Sequence, residues 1–128
     1  MTSNTPAARP PRRHHDLVAW QRAIELVKII YRLTEALPEV EKFGLTAQMR
    51  RAAISVPSNI AEGAARRSSK EFVQSLYVAR GSLAENETQL MLCRELGYVK
   101  DAALAEQALA DVLALLSGLI RSLQSKTK

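Results

Sequence analysis

The sequence predicts an all-α protein, an antiparallel up-down-up-down four-helix bundle that assembles as a homo-oligomer. Three observations predict it. Only five Gly and five Pro punctuate a chain of 128 residues that is 47% apolar, too little turn material for a sandwich or barrel. Apolar residues recur at alternating three- and four-residue spacing in four long segments. In the first and last segments they cover about half the helix circumference, more than one neighbouring bundle can bury, and this predicts self-association.

The length suits one small domain with a single core. Residues 1–15 hold Pro6, Pro10 and Pro11 and no acidic side chain, and read as a disordered basic arm. The arm lacks the apolar stretch of a signal peptide. Residues 16–125 form the bundle, and residues 126–128 are a basic tail. The longest unbroken apolar run, Val112 to Leu116, is far shorter than the ~20 residues that span a bilayer, so a soluble, cytoplasmic protein without membrane contact is expected.

Asp16 is placed to cap the first helix, and Pro38 to stop it after Leu37. Two seams run along it, Leu17, Trp20, Ile24, Val27 and Tyr31 on one line and Ala19, Ala23, Leu26, Ile30, Leu33 and Leu37 on the other. The second helix carries Leu45, Met49, Ala52, Val56 and Ile60, contains Pro57, which should kink it, and closes at Gly63. Ser68 and Glu71 make a capping box for the third, with Phe72, Leu76, Ala79, Leu83, Asn86, Leu90 and Cys93 at core spacing and Gly97 as its stop. Asn86 in that row needs a polar partner across the bundle. The fourth runs from about Asp101 to Leu123, with Leu104, Ala108, Val112, Leu115, Leu119 and Leu123 on its core side and Leu109, Leu113, Leu116 and Ile120 widening it.

No nucleophile, base and orienter stand at a recognisable spacing, and there is no phosphate-binding Gly-rich loop or HExxH element, so an enzyme is not expected. No cofactor or metal is expected either. His14 and His15 are the only imidazoles, and Cys93, on the core row, reads as a structural thiol.

Charge is more informative by position. The chain has 18 Lys and Arg against 13 Asp and Glu, net +5. Arg9, Arg12, Arg13, Lys126 and Lys128 lie at its ends, which leaves 13 cations against 13 acids in residues 16–125. Within the body, Arg50, Arg51, Arg66, Arg67, Lys70 and Arg80 face only Glu62 and Glu71 over residues 50–80, a balance of +4. Residues 81–111 reverse it to −4, with Arg94 and Lys100 against Glu85, Glu87, Glu95, Asp101, Glu106 and Asp111. A basic surface suited to phosphate backbones and a set of patches that pair between subunits both follow from this division. On a second line of the third helix, Arg80, Glu87 and Arg94 alternate in sign at heptad spacing, which suits an ion-pair network between helices or subunits.

Three stretches carry a resemblance: Asp16 to Gln21 (DLVAWQ), Leu45 to Gly63 (LTAQMRRAAISVPSNIAEG), and Gly81 to Glu85 (GSLAE) with Leu96, Gly97 and Tyr98. In these the chain resembles the four-helix-bundle proteins encoded by intervening sequences within bacterial 23S rRNA genes. That family is similar in fold to the accessory variability determinant of diversity-generating retroelements. The resemblance implies a homopentamer and a role with structured RNA or DNA, without known catalysis. The retroelement likeness further implies a reverse transcriptase as partner. By residue, Arg50 and Arg51 match the family's paired arginines, and Ser55, Pro57, Asn59, Glu62 and Gly63 match its central motif. Asn59 and Glu62 are also placed to satisfy backbone groups freed by Pro57. Arg50, Arg51, Arg66, Arg67 and Lys70 are thus the expected nucleic-acid contacts. The competing reading is a protein scaffold without a nucleic-acid site.

Overall fold

The computed structural model describes residues 14–126. Among them are four α-helices and no strand: α1 Val18–Thr34, α2 Leu45–Ala64, α3 Ser69–Glu95 and α4 Ala103–Lys126. Short 3-10 turns at His14–Asp16 and Glu39–Glu41 precede α1 and α2. The greater part of the expected arm, residues 1–13, lies outside the described residues, as do the last two of the tail. Helix α2 packs most extensively on α3 and also on α1, while α4 packs on α1 and α3. Each helix therefore has two neighbours, and their inner faces share one core.

Of the two seams on α1, one is the core. Ala19, Ala23, Leu26 and Ile30 are buried, followed by Thr34 and Leu37. On the other seam Trp20, Ile24 and Val27 are half-buried and Tyr31 is exposed. Asp16 does not occupy the N-cap position. It closes the 3-10 turn, the N-cap position falls to Leu17 without a side-chain bond, and the rings of His14 and His15 stand edge-on to Trp20 at 5.1 and 5.3 Å. The helix also ends before Leu37. The N–H groups of Glu35, Ala36 and Leu37 each bond three residues back, a tightened turn that suits a chain about to enter Pro38, because proline disfavours helical geometry in the residue before it.

The start of α2 is held by a carboxylate. Glu41 accepts the Leu45 N–H at 3.0 Å and the Tyr98 hydroxyl at 2.9 Å, so one side chain satisfies an unpaired donor of α2 and ties it to the chain after α3. A Cβ on Gly44 would stand 2.9 Å from that carboxylate oxygen, so a larger residue there would press on the carboxylate that holds the start of α2.

Gly63 has a different role from the expected stop. It lies inside α2, and a Cβ there would meet Phe72 Cδ1 and Ser75 Cβ, each at 2.8 Å. The glycine lets α3 approach closely just past the turn. The α2 helix runs through the buried Pro57. Asn59 and Glu62 do not serve the carbonyl of Ala53 that Pro57 leaves without its donor. Asn59 donates to the Ser55 carbonyl at 2.8 Å and Glu62 pairs with Arg66 at 2.8 Å, because each finds a partner one turn away on its own side of the helix.

Helix α3 keeps both expected ends. Ser68 accepts the Glu71 N–H at 3.1 Å, and the helix closes on Gly97 at φ 76°. The Gly97 N–H reaches the Arg94 carbonyl and the Tyr98 N–H the Cys93 carbonyl, the bond pair that a left-handed glycine makes possible.

On α4 the core stripe is Ala105, Leu109, Val112, Leu116, Ile120 and Leu123, after Ala102. Leu104, expected on the core side, is 70% exposed. The apolar residues of this helix cover about half its circumference, so periodicity alone does not select one stripe within that face. Residues Ala103–Ser125 are long and apolar enough to cross a bilayer by length and composition. In the bundle this helix is used instead as a wall against α1 and α3.

Candidate nucleic-acid interface

The five expected nucleic-acid contacts do not form one patch. Arg50 and Arg51 lie in the second turn of α2, whereas Arg66 and Arg67 follow its C-terminus and Lys70 opens α3. Fifteen residues at ~1.5 Å each separate the two groups by roughly 22 Å along the helix.

Arg50 is bound within the fold. Its Nε donates to the Thr34 hydroxyl at 2.9 Å, its Nη2 to the Tyr31 carbonyl at 3.3 Å, and its guanidinium lies 4.4 Å from the Tyr31 ring centroid. Thr34 is buried and passes its own proton to the Ile30 carbonyl at 2.8 Å. The residue thus staples α2 to the last turn of α1. Arg66 pairs with Glu62. Arg67, in the short α2–α3 turn, and Lys70, in the first turn of α3, are exposed and form no ion pair among the described residues.

Arg51 belongs to another feature. Between α2 and α3 lies a groove of about 460 Å³ lined by Gln48, Arg51, Ala52, Ser55, Ser82, Glu85 and Gln89. A ladder of polar contacts runs beneath and along it. Ser82 donates to the Ser55 hydroxyl oxygen at 2.9 Å, which also accepts from Asn59 at 2.9 Å. Deeper, Asn86 is fully buried and donates to the Met49 carbonyl on α2 at 3.2 Å and to Gln89 Oε1 at 3.0 Å. That supplies the polar partner expected for Asn86, while its Oδ1 is a buried acceptor with no donor. Beside it the Cys93 thiol contacts Met49 Sδ at 3.5 Å, and burial, helped by the charge of Glu41, raises its pKa. The thiol stays protonated and acts as core.

Of Arg80, Glu87 and Arg94, expected in a network between helices or subunits, Arg94 makes an ion pair to another helix. Arg80 lies 4.7 Å from the Tyr77 ring centroid, and Arg94 reaches across to Glu106 on α4 at 3.1 Å. Neighbours seven residues apart on one helix stand about 10 Å apart, beyond direct pairing, so each arginine takes a closer partner. Glu106 was absent from the expected site because its partner is a helix away. Ser82, Glu85 and Gln89 on α3, with Gln48 on α2, were missed too. Their signal was a polar stripe beside each apolar row, Gln48, Arg51, Ser55 and Asn59 facing Ser82, Asn86 and Gln89. Among the described residues no group of three or more His, Cys, Asp or Glu is arranged to hold a metal ion.

No individual curated protein matches the chain. The sequence does match the family described as 23S rRNA-intervening sequence protein over residues 15–118, which takes in α1 to α3, the greater part of α4 and the stretches that carry the resemblance. That family is not a known enzyme family. With most of its length covered by the match, the chain belongs to the 23S rRNA-intervening sequence protein family.

Proposed function

We propose that this protein is a non-enzymatic, homo-oligomeric adaptor that holds structured RNA. The observation that carries the reading is the α2–α3 turn, where Arg67 and Lys70 stand exposed without an ion-pair partner beside Arg66. Such unneutralised cations at and just past a short turn suit phosphate contacts, which need charge but little shape. The family's name, with its reference to 23S rRNA, supports RNA over other polyanions.

Assembly is the second part of the proposal. Helix α4 turns outward a face without charge at Ala110, Leu113 and Ala114, with Ser117 and Gly118 half-buried beside them. The small side chains suit close approach by another copy, and an up-down-up-down protomer in a cytoplasmic pentamer would present five basic turns at once. Weak contacts repeated on one assembly add through effective concentration. A pure protein scaffold, favoured by the same uncharged face, is the alternative.

Filter binding of a structured RNA across a salt series tests the adaptor reading. Affinity should fall as salt rises, and replacing Arg66, Arg67 and Lys70 with Ala should flatten the slope by about 0.7–0.9 for each phosphate no longer neutralised. Absence of binding at low salt, or an unchanged slope in the triple variant, would leave the scaffold. Sedimentation of the wild-type chain tests the assembly, which a stable monomer would refute.

A further inference from the structure

Two unpaired charges of opposite sign line the α2–α3 groove. Arg51 on α2 and Glu85 on α3 are both exposed, and neither forms an ion pair among the described residues. A phosphate site would exclude the carboxylate, and a site for a simple amine would exclude the arginine. A ligand that carries donors and acceptors side by side suits both.

The wall behind them is oriented from the core. The Met49 carbonyl can only accept, so it fixes the Asn86 amide with its NH2 toward α2, at 3.2 Å. That same NH2 donates to Gln89 Oε1 at 3.0 Å, which turns the Gln89 carbonyl oxygen inward and leaves the Gln89 NH2 as the group available to a ligand. Asn86 is fully buried, and its Oδ1 has no donor among the described residues. The groove therefore offers a guanidinium, an oriented amide donor and a carboxylate on two helix interiors, in a volume of about 460 Å³ that falls within the range of small-molecule sites.

We propose that this groove takes the edge of an unstacked guanine base. Guanine places two adjacent N–H donors, N1–H and N2–H2, where one carboxylate can accept both, next to the O6 and N7 acceptors that arginine and amide N–H groups recognise. Glu85 takes the donors, and Arg51 and Gln89 supply O6 and N7. Uracil has one N–H to give, and cytosine and adenine give only an amino group beside an acceptor ring nitrogen. The proposal deepens the RNA-adaptor reading and rests on it for the claim that the base belongs to RNA; the groove's preference for guanine stands apart from it. One strand could reach from the basic turn to the groove, roughly 22 Å away along α2.

The test is titration of the full-length 15N-labelled protein with GMP, IMP, AMP, CMP and UMP, which share a phosphate and differ in the base. GMP should shift the amide signals around Arg51, Glu85 and Gln89 and bind at least about tenfold more tightly than the others. IMP, which lacks the N2 amino group, should fall with them. Glu85→Gln, at an exposed position, should keep the fold by circular dichroism and lose the preference. Equal binding of all five nucleotides, shifts confined to the Arg66–Lys70 turn, or no binding at millimolar GMP would overturn the proposal. So would a stabilising coupling between Arg51 and Glu85 in a double-mutant cycle without base preference. The two readings fail separately. RNA bound without preference for guanine removes the groove site and leaves the adaptor, whereas GMP bound in the groove without RNA binding removes the adaptor and leaves the site.

Discussion

The Nε of Arg50 donates to the Thr34 hydroxyl at 2.9 Å, and this bond across sixteen residues of sequence makes a helix staple of an arginine that the sequence places among phosphate contacts. Arg50→Ala should therefore lower stability by about 1–3 kcal/mol in urea unfolding, since it removes a partly buried charged donor and the packing of its stem on Tyr31. The folded variant should keep the wild-type salt slope in RNA binding. Unchanged stability with a shallower slope would return Arg50 to the phosphate surface.

Asn86 and Leu90 lie one turn apart in the α3 core row and should respond differently to substitution. Asn86→Leu removes a buried acceptor without a donor along with the amide, and the Met49 carbonyl keeps its helical bond. The substitution also leaves the inward Gln89 Oε1 without its donor, so stability should fall by about 1–2 kcal/mol, the cost of one unpaired buried acceptor. Leu90→Ala should cost about 2–5 kcal/mol through the cavity it leaves. A loss in Asn86→Leu as large as in Leu90→Ala would mean that the amide network holds the helices together.

Two glycines make an opposed pair. Gly63→Ala puts a Cβ 2.8 Å from Phe72 and Ser75 and should destabilise by about 1–3 kcal/mol. Gly81→Ala, inside α3 with open space around the added Cβ, should stabilise by about 0.5–1 kcal/mol through helix propensity. Thermal melts of both variants decide, and a rise in melting temperature for Gly63→Ala would contradict the close approach of α2 and α3.

The Glu41–Tyr98 pair makes stability fall at both ends of the pH scale. The Leu45 N–H, and then the Tyr98 hydroxyl, hold the Glu41 carboxyl below its ordinary 4.5. Its contribution is present above the unfolded pKa and disappears as pH falls through the lower folded value. Tyr98 is raised above its ordinary 10.0, chiefly by donating its proton to Glu41 and further by burial and nearby charge. Its contribution is present below the unfolded value and disappears as pH rises through the folded one. Measured as the difference between wild type and Glu41→Gln, unfolding free energy should be largest between these limits and shrink on either side. A difference that is flat across pH would exclude the pair as a source of stability.

The α-helical class and the ends of α3 were legible because their causes are local. Ser68 meets Glu71 three residues on, and Gly97 needs only its own φ. The core side of α4 was not, since Leu104 and Leu109 are equally apolar and only the neighbouring α1 distinguishes them. Gly63 read as a helix stop because its real reason, Phe72, sits across the turn. For the site, each polar stripe was visible in its own helix, but nothing in one stripe tells which residue of the other it faces. Arg51 therefore read as part of a basic pair with Arg50, and Glu85 as a surface acid.

The four-residue link at 65–68 between α2 and α3, together with the close approach at Gly63, bears on the order in which the chain folds. A short loop closes at small entropic cost, and this hairpin is also the most extensive packing in the molecule. It is the nucleus expected on these grounds, onto which α1 and α4 would condense later. Truncation of Phe72 should accordingly slow refolding in stopped-flow chevrons, while truncation of Leu116 or Leu26 should act mainly by hastening unfolding. The pair of helices that presents the basic turn and the polar groove would then be the first part of the protein to take shape.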